Sequence, residues 1–156
     1  MKKIIALFFV ALVAVSMTFA FSFRSLGIET GGGTHISADM EIIEDLDAYA
    51  RFGYTGRVCI SMGAQYRVAD LKISNTILPI KPGAQMGFYF GDGYYDSYFG
   101  FSLLLTCSFS YDTDCFTAFV RPGLGLYTYS AKYSSYKFGD TIFDVQVETG
   151  VAFLFK

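Results

Sequence analysis

The final stretch, Asp140 to Lys156 (DTIFDVQVETGVAFLFK), alternates in character with a period of two. Phe143, Val145, Val147, Val151, Phe153 and Phe155 fall on one side, with Thr149 the only polar member. Asp144, Gln146, Glu148, Gly150 and Ala152 fall on the other. Side chains alternate across a strand and recur every three to four residues on a helix, so this is a strand. Its apolar side is rich in β-branched and aromatic residues, which suit a packed pleated surface. It also runs well past the usual five or six residues, whereas a tilted strand needs about 9–11 to cross a bilayer.

The same reading along the chain predicts strands over 21–30, 45–54, 58–68, 71–78, 83–91, 98–111, 115–129 and 140–156, eight joined as a meander. Parity breaks near Ser25, which suggests a bulge. Gly31-Gly32-Gly33 opens what reads as a long acidic loop to Glu44, and Pro79 and Pro82, which cannot donate to a ladder, mark a turn. An even strand count puts both ends of a barrel on one side. The short turns at 55–57, 79–83 and 112–114 then share that side, and the longer loops at 31–44, 92–97 and 130–140 lie opposite.

A soluble lipocalin-like barrel alternates too, with its apolar side inward. In the third strand and the fifth to eighth, the polar side is Gly, Ser, Thr, Gln, Tyr and a few charges that look paired, without Lys, which does not suit a solvated surface. It does suit a narrow lumen filled by small, hydrogen-bonding side chains. Lys72, Lys81, Lys132, Lys137 and Lys156 fall near strand ends or in loops, as do Tyr54, Tyr94, Tyr95, Tyr98, Tyr111, Tyr127 and Tyr129. That is the placement of interfacial girdles. The composition is 53% hydrophobic and only 17% charged, yet no apolar run after residue 20 is of helix length. The expected fold is an all-β, eight-stranded antiparallel up-and-down transmembrane β-barrel. A soluble exported barrel carrying a small apolar ligand is the alternative.

Residues 1–20 have Lys2 and Lys3, an apolar run from Ile4 to Val15 and Thr18-Phe19-Ala20, the layout of a cleavable signal peptide. Residues 21–156 would form one barrel domain. Without Lys2 and Lys3, ten basic residues face 14 acidic ones, a net charge of −4 that argues against nucleic acid. Cys59, Cys107 and Cys115 form no disulfide framework, and no bridge is expected.

The chain closes on Glu148, Gly150, Phe153 and Phe155, a polar-x-Gly-x-x-aromatic-x-aromatic pattern. It resembles the C-terminal insertion signal of outer-membrane β-barrels, although Lys156 follows the last aromatic residue. With the signal peptide and the strand count, the chain resembles the small eight-stranded bacterial outer-membrane barrels. That resemblance implies residence in the outer membrane, contact with membrane lipid and with the assembly machinery, and a structural or surface-interaction role through outer loops.

No phosphate loop, CxxC, HExxH or GxSxG motif is present, and no cofactor or metal is expected. The only histidine, His35, lies two residues before Ser37, and the pair resembles part of the site of outer-membrane lipid A deacylases. A nucleophilic hydroxyl needs a base and an orienting carboxylate, which Asp39 or Glu41 could supply. Set in a glycine-led loop, the pair reads more simply as non-catalytic, and the chain as no enzyme. Asp39, Glu41, Glu44 and Asp45 match no calcium-loop spacing and read as a solvated acidic loop. On the polar face, Asp47, Arg51, Arg67, Arg121, Asp144 and Glu148 would lie inside the lumen. Buried charges must pair, so the expectation is a salt-bridge network filling the barrel, not an ion pathway. A last loop centred on 134–135 would place Arg121 opposite Glu148.

Overall fold

The computed structural model describes residues 22–91 and 95–155. Residues 1–21, which include the segment expected as a signal peptide, lie outside the described residues, as do Asp92, Gly93, Tyr94 and Lys156.

Every regular element among the described residues is a strand: β1 (Ser22–Thr30), β2 (Thr34–Ile43), β3 (Leu46–Tyr54), β4 (Val58–Tyr66), β5 (Ala69–Ile73), β6 (Thr76–Gly91), β7 (Ser97–Asp112), β8 (Phe116–Tyr133) and β9 (Tyr136–Leu154). All pairings are antiparallel between neighbours, and β1 pairs with both β2 and β9, so the sheet closes on itself. β4 and β5 pair successive stretches of β6, with Arg67 and Val68 at the break, and together form one wall strand. The barrel therefore has eight strands in meander order.

Two of the eight differ from the sequence expectation, and the differences cancel in the count. Residues 34–43 form β2, not a loop. His35, Ser37 and Asp39 alternate inward there against Ile36, and a strand whose inner face is this polar looks like a loop in sequence. Residues 71–78 are not one strand. Ser74, at φ 56°, and Asn75 turn the chain between β5 and β6. Pro79 and Pro82 lie within β6, where pairing passes from β5 to β4. The bulge falls at Arg24, between Phe23 and Ser25.

Ser22, Leu154 and the turns at 44–45, 74–75 and 113–115 mark the proximal end, and the turns at 31–33, 55–57 and 134–135 with the last residue of β6, Gly91, and the first of β7, Ser97, mark the distal end. The 55–57 turn was expected at the proximal end and lies at the other.

The barrel is inside out relative to a soluble one. Ile28, Ile36, Leu105, Phe143, Val145 and Phe153 lie outward and exposed, Phe153 at 70%. The buried set is mainly Ser, Thr, Gln, Asp, Glu, Lys and Arg. This overturns the soluble alternative, which needs the apolar side inward. Along β9 and the residue that follows it, the outward apolar residues run from Phe143 to Phe155. At about 3.3 Å per residue and a tilt of roughly 40°, that is about 30 Å of height, the thickness of a hydrocarbon core.

Register fixes the tilt. Partner pairs lead from Thr30 to Thr34, Tyr54, Val58, Phe90, Phe99, Ser130 and Gly139. Thr30's own partner on β9 is Thr149, so one circuit climbs ten residues, from 149 to 139. Strand stagger and tilt are linked in this way in every closed barrel. Because β1 ends at Thr30, β9 from Tyr136 to Glu148 has β8 on one edge and no strand on the other. β6 to β9 thus stand as a wall above the rim formed by β1 to β4.

Candidate functional site: the charged lumen

The lumen is built from inward residues of every wall strand, and its polar groups gather at three heights. At mid-height Arg51 Nη1 meets Glu148 Oε1 at 2.6 Å and Glu29 Oε2 at 3.2 Å. Arg121 Nη1 reaches Glu29 and Glu148 at 3.4 Å each. Arg121 lies directly opposite Glu148 in the β8–β9 register. Gln85 donates to Glu148, Tyr49 donates to Gln85, and Arg51 Nε donates to Ser61. The Arg121 guanidinium sits over the Tyr49 ring at 4.0 Å, a cation–π contact in a site closed to water. Two cations and two anions balance, as buried charges require.

Nearer the proximal end a second cluster centres on Asp47, which takes Lys81 at 2.7 Å and Arg24 at 2.9 Å. Ser25 donates to Asp39 at 2.5 Å beside it. A cavity of about 20 Å³ lies among these groups. Above the mid-height layer a chamber of about 70 Å³ is bounded by Gly31, His35, Arg51, Tyr89, Gln146 and Glu148, among others.

Above that chamber, tyrosines line the inner face of the distal wall. Tyr95, Tyr98, Tyr129 and Tyr127 stack with centroids 5.9, 6.0 and 6.2 Å apart, and Tyr127 meets Tyr89 edge-on at 5.2 Å. Arg57, immediately before β4 two strands away, lies over Tyr98 at 3.5 Å. Tyr98 is buried in the mouth and Tyr127 and Tyr129 are half-buried, whereas Tyr54 and Tyr111 do face outward. The inward rings need space, and glycines on adjacent strands supply it. A Cβ on Gly63 would stand 2.5 Å from the Tyr49 ring, and one on Gly100 2.6 Å from the Tyr127 hydroxyl.

Of the six charges read from sequence, Asp47, Arg51, Arg121 and Glu148 are buried in the lumen and ion-paired. Arg67 is not with them. It sits at the β4–β5 break, with its side chain 40% exposed, and holds Asp70 through two hydrogen bonds. Asp144 is half-buried higher up and accepts from Gln146, outside both clusters. Sequence reasoning missed Glu29, Arg24, Asp39 and Lys81. Parity on β1 already put Glu29 inward. Lys81 was hidden by the reading of 79–83 as a turn, and Asp39 by the reading of 31–44 as a loop.

His35 and Ser37 face the lumen, both buried, with Asp39 next on the same row. An ester of an outer-leaflet lipid would approach from the opposite face. Asp39 and Glu41 lie on a strand and not in one loop with Glu44 and Asp45. Cys59 is buried, Cys107 half-buried and Cys115 exposed, all as free thiols. Of the terminal motif, Glu148 and Gly150 point inward and Phe153 and Phe155 outward.

Fold and lumen together define a transmembrane β-barrel of eight strands. No family model matches the chain, and the curated proteins give no match. A solved structure described as KdgM porin is similar at 12% identity, covering 86% of this chain and 100% of that one, with a TM-score of 0.28.

Proposed function

We propose that the chain is an outer-membrane barrel with a filled lumen. Its role is structural or surface-interacting, carried by the wall and turns above the distal rim. The observation that carries this reading is the mid-height layer. Arg51, Arg121, Glu29 and Glu148 hold one another across the barrel at 2–3% exposure or less, between two small cavities. Opening a solute path there would strand buried charges, which is costly. Such a barrel acts through its outside. Above the apolar band that outside is the β8–β9 hairpin with its open β9 edge, a ready site for strand pairing with a partner. Export by residues 1–20 and delivery to the assembly machinery through Glu148, Gly150, Phe153 and Phe155 complete the reading.

The test is fractionation followed by planar-bilayer recording. The protein is expected with outer membranes, with unheated samples running faster than boiled ones on SDS gels and no stepwise conductance. Soluble periplasmic recovery would overturn the compartment. Reproducible conductance steps would overturn the filled lumen.

A further inference from the structure

The chamber above the mid-height layer carries groups that the closed barrel does not use. His35 is 4% exposed, lines this chamber, and its Nδ1 has no hydrogen-bond partner. Glu29 Oε1, in the layer below, is likewise buried without one. An unmatched buried polar atom costs free energy unless something meets it. The neighbouring charged and amide donors are engaged: Arg51 on Glu148, Glu29 and Ser61, and the Gln146 amide nitrogen on Asp144. What is left over is acceptor capacity: the Gln146 carbonyl, the carboxylates and one ring nitrogen.

The wall above continues the same chemistry. Asp140 and Asp144 share the inward side of β9, beside Tyr127 and Tyr129 on β8. Among the described residues no Lys or Arg lies within ion-pairing distance of either carboxylate. The ring faces already receive one cation, since Arg57 lies 3.5 Å over Tyr98. Carboxylates and aromatic faces together recognise ammonium groups.

We infer that this chamber and the tyrosine wall form a binding site for a linear polyamine entering from the distal mouth. One ammonium group fits the 70 Å³ chamber, where a water occupies about 30 Å³. There it donates to His35 Nδ1 and Gln146. The methylene chain lies along the tyrosines, and a second ammonium group meets Asp144 or Asp140.

The chain has 12 tyrosines and no tryptophan, so its fluorescence is tyrosine emission, to which the wall residues Tyr89, Tyr95, Tyr98, Tyr127 and Tyr129 contribute, and a ligand seated on them changes it. Folded protein in nanodiscs, checked by its heat shift, is titrated with spermidine and in parallel with uncharged 1,4-butanediol. Saturable spermidine binding is expected, absent for the diol, weakened at least tenfold by Asp144→Asn and also by His35→Gln. Asp70→Asn, which removes one negative charge at the proximal end, should leave it unchanged. Absent spermidine binding, equal binding of the diol, or equal weakening by Asp70→Asn and Asp144→Asn would overturn the site. If His35→Gln does not fold, the half-buried Asp144 decides alone.

Discussion

Arg67 holds Asp70 with two hydrogen bonds of 2.9 and 2.7 Å, on a stretch open to solvent. Arg121 reaches Glu29 and Glu148 only at 3.4 Å, with all three side chains almost sealed from it. By distance the first pair is better. By consequence the second matters far more. In water the alternative to an ion pair is two hydrated ions, which cost little; inside the lumen it is a bare charge. The separation between charges says how well they fit, and burial says what happens when one is removed.

The largest effect should come from adding a charge to the lumen without a partner. A Cβ on Gly87 would stand 2.6 Å from Ser102 Oγ and 3.3 Å from the Tyr89 ring. Gly87→Arg is therefore expected to abolish folding into lipid vesicles, read as loss of the heat-shifted band. A folded Gly87→Arg barrel would mean that the lumen has room and counter-charge to spare, and the contrast drawn above would fail.

Next comes removal of a buried partner. Glu148→Ala leaves Arg51 and Arg121 facing Glu29 alone, and a broken buried pair typically costs about 3–5 kcal/mol. The expected readout is a lowered urea midpoint for folding in lipid. Double-mutant cycles then rank the contacts. Glu148 should couple more strongly to Arg51, at 2.6 Å, than to Arg121, at 3.4 Å. Both cycles should be non-additive, in the range of about 0.5–3 kcal/mol seen for residues that touch. Additivity for Glu148 and Arg121 would mean that the β8–β9 register does not bring them together.

That register was legible in the sequence, because Phe143 to Phe155 alternates with Thr149 as the one polar residue on its apolar side, and the turn at 134–135 centres the hairpin. Strand facing was legible on β3 and β7 for the same reason. What misled was the first third of the barrel. A strand with His, Ser and Asp inward carries the composition of a loop, and only the closed barrel makes that face an interior. The Pro79 to Gly83 stretch misled in the opposite way. Two prolines suggest a turn, but here they sit where β6 changes partner, so a missing ladder donor is tolerated. Lys81 was misplaced with them, and with it the proximal cluster around Asp47.

That cluster should fall between the extremes. Lys81→Met removes one of two cations from Asp47 and leaves Arg24, which is about a third exposed. The loss in urea midpoint should be clearly smaller than for Glu148→Ala. An equal loss would show that Arg24 does not compensate.

The smallest effect belongs to Asp70. Arg67 holds the Asp70 carboxylate through two hydrogen bonds, from Nε at 2.9 Å and from Nη2 at 2.7 Å. The pair is exposed, so salt screens it and water replaces it cheaply. Asp70→Asn should therefore move the urea midpoint at pH 7 by little more than experimental error, less still at high salt. A loss as large as that of Glu148→Ala would place Arg67 in a buried setting after all, and the lesson that burial outweighs distance would not hold for this barrel.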